Sequence, residues 1–395
     1  MIKRKKKNKE HNPFYDPTLK KRHVSAKRFK KFTLTSLIFS VAFLAFFLFD
    51  MIGKGIPAFN IAYIKVDVTF NEKTLEDTRF AVPTPYRNLV SRAALRDLPK
   101  LLEENPTYMN STQNIWILAS SQVDQYIKNH NHNLKDKDIA KVDELYAQGL
   151  IDKKFNAIFF ENGDSKIPEY AGIFSAVIGS ILTLIITMAV AFPIGVMTAI
   201  YLEEFAGDNK FTRFIEININ NLAAIPSILF GLLGLAIFIN LFGMPRSSPL
   251  VGGLTLALMT LPIIIVSSRA ALRAVPDSIR QAGYGLGLNK IQVTNDHVLP
   301  LAFPGIMTGS IIGLAQAMGE TAPLIIIGMI AFIPDAPSMV TQAATVMPAQ
   351  LFTWAGMPEG MYIEKTAAGI LVLLTILISL NAIAIFLRKK FEVKW

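Results

Sequence analysis

The chain has 395 residues, 51% hydrophobic and only 18% charged, with a net charge of +10 and no cysteine. Its mean hydropathy of +0.38 and its long apolar runs exclude the ordinary soluble class and read as a polytopic membrane protein. The absence of cysteine excludes a disulfide framework, thiol chemistry and any Cys-based metal site.

Residues 1–31 form a strongly basic tail, KRKKKNK, then LKKRH, then KRFKK, opposed only by Glu10 and Asp16. A basic tail can contact nucleic acid, but no folded binding motif accompanies this one. It runs straight into an apolar segment, so the positive-inside rule explains it, with attraction to anionic membrane lipids in addition. The apolar run 33–49, about 17 residues, just spans a bilayer. No small-x-small cleavage site follows at Asp50, Met51, Ile52 and Gly53, so residues 32–57 are expected to be an uncleaved first transmembrane helix.

Residues 58–168 are hydrophilic and long enough for a small α+β domain. Strands are expected at 63–70, where apolar and polar residues alternate, and at 115–119 and 155–160, the last closed by Asn162 and Gly163. Helical spacing is expected over 88–104 with Pro99 as a break, over 121–129, and over 136–148, stopped by Gly149. His130 and His132, in NHNHN, read as solvated loop residues, since no acid or third histidine shares a metal-ligand spacing with them.

Residues 169–395 hold the remaining spans. The run 173–201 contains Pro193, expected to kink it, and Glu203 and Glu204 then mark a short loop. The run 214–242 carries Pro226, Gly231 and Gly234, which suit close packing or a break in a membrane helix. Residues 243–248 form a tight turn, and 250–268, 303–333 and 367–387 complete the set. Arg388, Lys389 and Lys390 anchor the last helix. The expected architecture is an all-α polytopic membrane protein of six transmembrane helices, both termini cytoplasmic, with the α+β insertion extracytoplasmic between helices 1 and 2.

Residues 269–300 form a polar island between two apolar runs. Arg269, Arg273 and Arg280 have few nearby acids to balance them. Pro276 suits a helix start, and residues 276–293 read as a short amphipathic segment in which Gly283, Gly285 and Gly287 permit close backbone approach. GYGLG is not read as a dinucleotide site, because no strand leads into it. The island resembles the cytoplasmic coupling loop of ABC-importer permeases: Glu-Ala-Ala, three residues, Gly, nine residues, Ile, one residue, Leu-Pro. Gln281, Ala282 and Gly283 fall on Glu-Ala-Ala, Gly287 on the Gly, and Leu299 and Pro300 on the Leu-Pro, while His297 replaces the Ile. The resemblance implies that these residues couple the chain to a separate ATPase.

Glu320, in Gly319-Glu320-Thr321-Ala322-Pro323, falls midway along the expected fifth span. A carboxylate there costs about 2.5–3.5 kcal/mol on insertion scales, so it needs a cation, a polar cavity or a proton. Glu320 and Thr321 are read as lining a polar pathway; the alternative is a packing glutamate bonded to a neighbouring helix. GETAP, AIPSILFG at 224–231 and MPAQLFTWAG at 347–356 resemble segments of phosphate-importer permeases of the PstA kind, in which Gln316 stands where many relatives carry Arg. The similarity covers residues 171–395, and the insertion resembles an extra domain of unknown role seen in some bacterial members.

That resemblance implies the type I ABC-importer permease fold in a bacterial inner membrane. It implies a second permease subunit (PstC-like), a dimer of ATP-binding subunits and a periplasmic phosphate-binding protein as partners. No P-loop occurs in the sequence, so no cofactor is expected in this chain and ATP hydrolysis falls to the ATPase. Permeation of another oxyanion, phosphonate or sulfate, is the neighbouring alternative. A membrane sensor reading a ligand through the insertion is the alternative of a different class.

Overall fold

The computed structural model describes residues 18–330 and 332–391. The chain divides into two compact units, one ending at Gly53 and one beginning at Lys54. The described part of the first unit belongs to α1 (Leu19–Gly55), 37 residues long, whose last two residues fall in the second. No Gly or Pro interrupts residues 19–52, so the helix does not begin at the expected membrane edge but continues through the basic segment after Leu19. The hydroxyls of Thr33, Thr35, Ser36 and Ser40 bond back to carbonyls of the preceding turn, which satisfies them without a partner helix. The first 17 residues of the basic tail lie outside the described residues.

The second unit opens with the insertion. Its sheet has the order β2-β1-β3, from β1 (Asn60–Phe70), β2 (Ser111–Leu118) and β3 (Ile151–Phe155). Both pairings with β1 are antiparallel. Alternation in β1 turns Ala62, Ile64, Val66, Val68 and Phe70 into the insertion's apolar core. The helices are α2 (Glu72–Glu76), α3 (Arg92–Arg96), α4 (Leu98–Glu104), α5 (Ser121–Ile127), α6 (Asp136–Ala147) and α7 (Ala157–Glu161). As expected, the chain breaks between α3 and α4 just before Pro99, and Gly149 ends α6 at φ +71°.

The third strand differs from expectation. It occupies 151–155 rather than 155–160, and residues 157–161 are helical. The cause is Asn156, 1% exposed. Its amide donates to the Ala58 carbonyl at 2.9 Å, while its Oδ1 accepts from Phe159 N at 3.2 Å and caps α7. The apolar run here thus becomes a short helix that buries Phe159 while Phe160 stays exposed.

The membrane-type core is built on α8 (Phe174–Ile200), α11 (Pro249–Arg273) and α14 (Leu299–Gly319). Small residues set the contacts. A Cβ at Gly253 of α11 would lie 2.6 Å from Ile186 of α8, and one at Gly309 of α14 would lie 1.9 Å from Ser267 Oγ of α11. The end of α8 widens into a π turn, Tyr201–Phe205, so Glu203 and Glu204 are helical and the loop comes only after them, at 206–209.

The expected span at 214–242 is two helices, α9 (Lys210–Ala223) and α10 (Ser227–Gly234, extended by a π turn to Leu241), bent by 102°. Pro226 lacks an N–H and disfavours helical geometry at Ile225, which places the break at Ala224-Ile225-Pro226. After α11 come α12 (Asp277–Gly285) and α13 (Lys290–Gln292), and after α14 come α15 (Ala322–Ile326), α16 (Met347–Ala355) and α17 (Gly360–Phe391). Among the described residues, five helices are long and apolar enough to cross a membrane, or six if the bent pair is one span.

Candidate functional site

The polar island is two short helices rather than one amphipathic segment. α12 ends in a Schellman turn: Leu288 N donates to Gly283 O at 3.1 Å, and Gly287 N to Tyr284 O at 2.9 Å. Gly287 sits at φ +82° with open space around it. The glycine is therefore required by the left-handed backbone, not by close approach. Close approach occurs at Gly283, where a Cβ would lie 2.8 Å from Val293 Cγ2. Asn289 and Gln292 then form a capping box that starts α13. A π turn, Val293–Val298, leads directly into α14, so Leu299 and Pro300 open that helix instead of closing a loop. Gln281, Ala282 and Pro300 are exposed and Leu299 is half-buried. Tyr284, Leu286 and Ile291 project beside them as exposed apolar side chains.

The arginines are balanced, by acids distant in sequence. Arg269 pairs with Glu203 at 3.4 Å and with Glu216 of α9, and Arg273 with Glu203 at 2.8 Å. Arg280 meets both Glu204 oxygens, at 2.7 and 3.3 Å, and donates to the carbonyls of Leu272 at 3.0 Å and Val275 at 2.7 Å. The Glu204 carboxylate holds the Arg280 guanidinium still further above its ordinary range. These bonds fix α12 against the ends of α8 and α11. They border a cleft of about 430 Å³ lined by Glu203, Glu204, Arg273, Asp277, Arg280, Tyr284 and Lys290. The adjacency of Glu203 and Glu204 at the end of an apolar run was the sequence signal for this.

Glu320 is not midway along a span. α14 stops at Gly319, Glu320 is extended at φ −77°, ψ 118°, and α15 starts two residues later. Pro323 explains the break: a continuous helix would drive its ring into the carbonyl of Gly319. Glu320 and Thr321 are half-buried. The Glu320 carboxylate has no hydrogen bond or ion pair among the described residues of this chain.

The family-like segments meet here. A Cβ at Gly231, in AIPSILFG, would lie 2.7 Å from Pro323 Cα in GETAP. Phe230 of AIPSILFG, Met318 and Leu324 beside the break, and Ala349 of MPAQLFTWAG then share one apolar cluster. Two broken helices and a third short one thus pack together next to the break that carries Glu320.

The histidines are not free loop residues. His130 Nδ1 contacts Glu364 Oε1, and His132 sits edge-on to Tyr126 with centroids 4.9 Å apart. No group of three or more His, Cys, Asp or Glu among the described residues is placed to hold a metal ion.

Two family models match. "Binding-protein-dependent transport system inner membrane component" covers residues 191–393, and "Domain of unknown function (DUF3333)" covers 16–85 and 81–136. The phosphate transport system permease protein PstA of Mycobacterium leprae is 36% identical over 160 residues, 40% of this chain and 52% of that protein. The PstA protein of Yersinia pestis is 31% identical over 245 residues, 61% of this chain and 81% of that protein. Against the mycobacterial relatives the chain spans about half of their length. A solved chain of the MetNI methionine ABC transporter in an inward-facing form superposes with a TM-score of 0.43 at 14% identity, over 56% of this chain and 95% of that one. On the match that covers half of its length, the chain belongs to the binding-protein-dependent transport system inner membrane component family.

Proposed function

We propose that the chain is a membrane-spanning permease subunit of an ATP-driven importer of inorganic phosphate. The observation that carries this reading is the match to the Yersinia pestis phosphate permease over four-fifths of that protein. It is supported by the convergence of GETAP, AIPSILFG and MPAQLFTWAG on one broken-helix region. Phosphate is an anion and cannot cross hydrocarbon unaided. Backbone freed at helix breaks, lined by polar groups, is the membrane solution for such cargo.

In this reading Glu320 and Thr321 line the path. The unpartnered Glu320 carboxylate accepts a hydrogen bond from a protonated phosphate oxygen or orients a cation on the second, PstC-like permease. Gln281, Ala282, Gly283, Gly287, Leu299 and Pro300 belong to the surface that meets the ATP-binding subunits, with Tyr284, Leu286 and Ile291 as its apolar contacts. A periplasmic phosphate-binding protein delivers cargo on the opposite face. Both termini are cytoplasmic, the insertion is extracytoplasmic, and the subunit is not itself an enzyme.

The test is radiolabelled phosphate uptake in cells lacking their own copy of the subunit, complemented with this chain, with unlabelled phosphonate and sulfate as competitors. Phosphate-specific uptake, with a P-loop ATPase co-purifying, is the expected result. Phosphate uptake no higher than in the uncomplemented cells, or uptake abolished by excess sulfate or phosphonate, would overturn the substrate, and a histidine kinase as the sole partner would overturn the class.

A further inference from the structure

The charged residues that join the insertion to the membrane-type core are buried, and they converge on the first turns of α17. Glu364, 4% exposed, accepts from Gln125 Nε2 at 2.7 Å on Oε1 and from Lys128 Nζ at 3.1 Å on Oε2, and His130 Nδ1 contacts the same Oε1 as Gln125. Lys128 also reaches Asp124 at 2.6 Å, whose second oxygen holds the backbone N–H of Ala62 in β1 at 2.9 Å. The adjacent Lys365, 1% exposed, donates to the carbonyls of Pro168, Glu169 and Ala171 at 2.6, 3.3 and 2.6 Å.

A second grip lies on residues 162–173, where the chain leaves the insertion. Asp164 accepts from Trp354 Nε1 of α16 at 2.8 Å, and its own N–H reaches the Ile333 carbonyl at 3.3 Å. Gly163 lies so close to Pro334 that a Cβ would sit 1.9 Å from that carbonyl oxygen. Gln350 of α16 donates to Gly172 O at 2.7 Å, and Tyr362 of α17 to Ser165 O at 2.6 Å.

A domain hung on a tether has no use for this. Burying lysines and carboxylates is unfavourable unless every group is paired, and apolar residues would hold the same surface at lower cost. What paired charges add is a single permitted arrangement. The segments so held are the backbone at Ile333 and Pro334, α16 through Gln350 and Trp354, and the start of α17, all of which follow the break carrying Glu320 in the chain.

We infer that the insertion is a brace: an interaction surface for its own permease core that holds the insertion-side ends of α16, α17 and the segment after α15 in one arrangement. Asp164, Glu364 and Lys365 are its positioning residues. The brace explains why a charged pair stands in the first turns of an otherwise apolar span. It makes the insertion part of the transport machinery rather than an accessory. Its link to uptake rests on the proposed phosphate reading, and its structural content does not.

The experiment uses the full chain assembled with its partner subunits. Lys128→Met leaves Asp124 and Glu364 buried without their cation, and Lys128→Met with Glu364→Gln removes one of the orphaned charges. Asp164→Leu removes the acceptor for Trp354, and Asp164→Asn keeps it. The readouts are hydrogen exchange over residues 345–364 and phosphate uptake at matched membrane level. Lys128→Met and Asp164→Leu are expected to speed exchange at 345–364 by about ten-fold or more and to lower uptake in parallel, with partial recovery in the double variant and protection retained in Asp164→Asn. Unchanged exchange in both Lys128→Met and Asp164→Leu overturns the brace; if Lys128→Met fails to accumulate, the Asp164 pair decides alone. Faster exchange in an assembly that takes up no phosphate even as wild type supports the brace and overturns the substrate instead.

Discussion

Arg280→Met tests what anchors α12. The guanidinium is 15% exposed and its partner Glu204 only 4%, so the substitution leaves a buried carboxylate without a cation. Breaking such a pair costs about 3–5 kcal/mol; the residual exposure of Arg280 places this one near the lower end. The carbonyls of Leu272 and Val275 lose a donor as well, about 1 kcal/mol each where water does not replace it. A total of about 3–5 kcal/mol falls on the local attachment of α12, while the contacts of α8, α11 and α14 with one another are untouched. The expected phenotype is a protein that inserts and assembles but in which ATP hydrolysis no longer drives uptake. Glu204→Gln in the same background recovers part of the loss, because the orphaned charge is gone. The assay is ATP hydrolysis and phosphate uptake by the reconstituted assembly, beside its thermal midpoint. Coupled transport at the wild-type ratio in Arg280→Met would refute the assignment of this ion pair as the anchor.

Gly287→Val forces a β-branched residue to φ +82°; the strain, about 1–2 kcal/mol, unravels the end of α12 and lowers coupling, whereas Gly285→Ala, in open space, is silent. Equal effects of the two on uptake would remove the conformational argument. Glu320→Gln keeps size but not charge and is expected to abolish most uptake with the protein still in the membrane; wild-type uptake by this variant would end the pathway role of the carboxylate. Asp164 is raised from 3.8 to about 6, chiefly by burial. A raised carboxyl contributes stability that is complete below about pH 4 and lost as pH climbs through 6, about 3 kcal/mol at 1.36 kcal/mol per pH unit. Asp164→Asn should therefore flatten the stability profile between pH 4 and 7 and raise the midpoint at pH 7; an unaltered slope would show that another group dominates.

The features legible in the sequence were those written in local spacing. Alternation marked β1, Gly149 marked the end of α6, and the Gln281 to Pro300 spacing marked the island. Pro226 signalled the break before α10. What stayed hidden was non-local. The run around Phe159 is apolar enough for a strand, and only the bond from Asn156 to Ala58, 98 residues away, makes it a helix. Arg280 finds Glu204 at a separation of 76 residues, a distance that no helical or strand period encodes. Glu320 looked central because the apolar run continues past it. The ring of Pro323, three residues on, carries the break, and a hydropathy profile does not register a ring. Glu364 and Lys365 stayed hidden because their partners are non-local: Gln125, 239 residues from Glu364, lies in the region of the other family model, and Pro168 is 197 residues from Lys365.

The anchoring of Glu364 and Lys365 also acts as a waterline. From residue 366 to 387 the helix is free of charged side chains, and at 1.5 Å per residue it spans about 33 Å, close to the roughly 30 Å of hydrocarbon in a bilayer. Arg388, Lys389 and Lys390 bound it at the other end. Sliding along the membrane normal in either direction would drag a charged side chain into lipid. A charged turn at each end thus fixes the length of the apolar stretch that α17 can present to lipid.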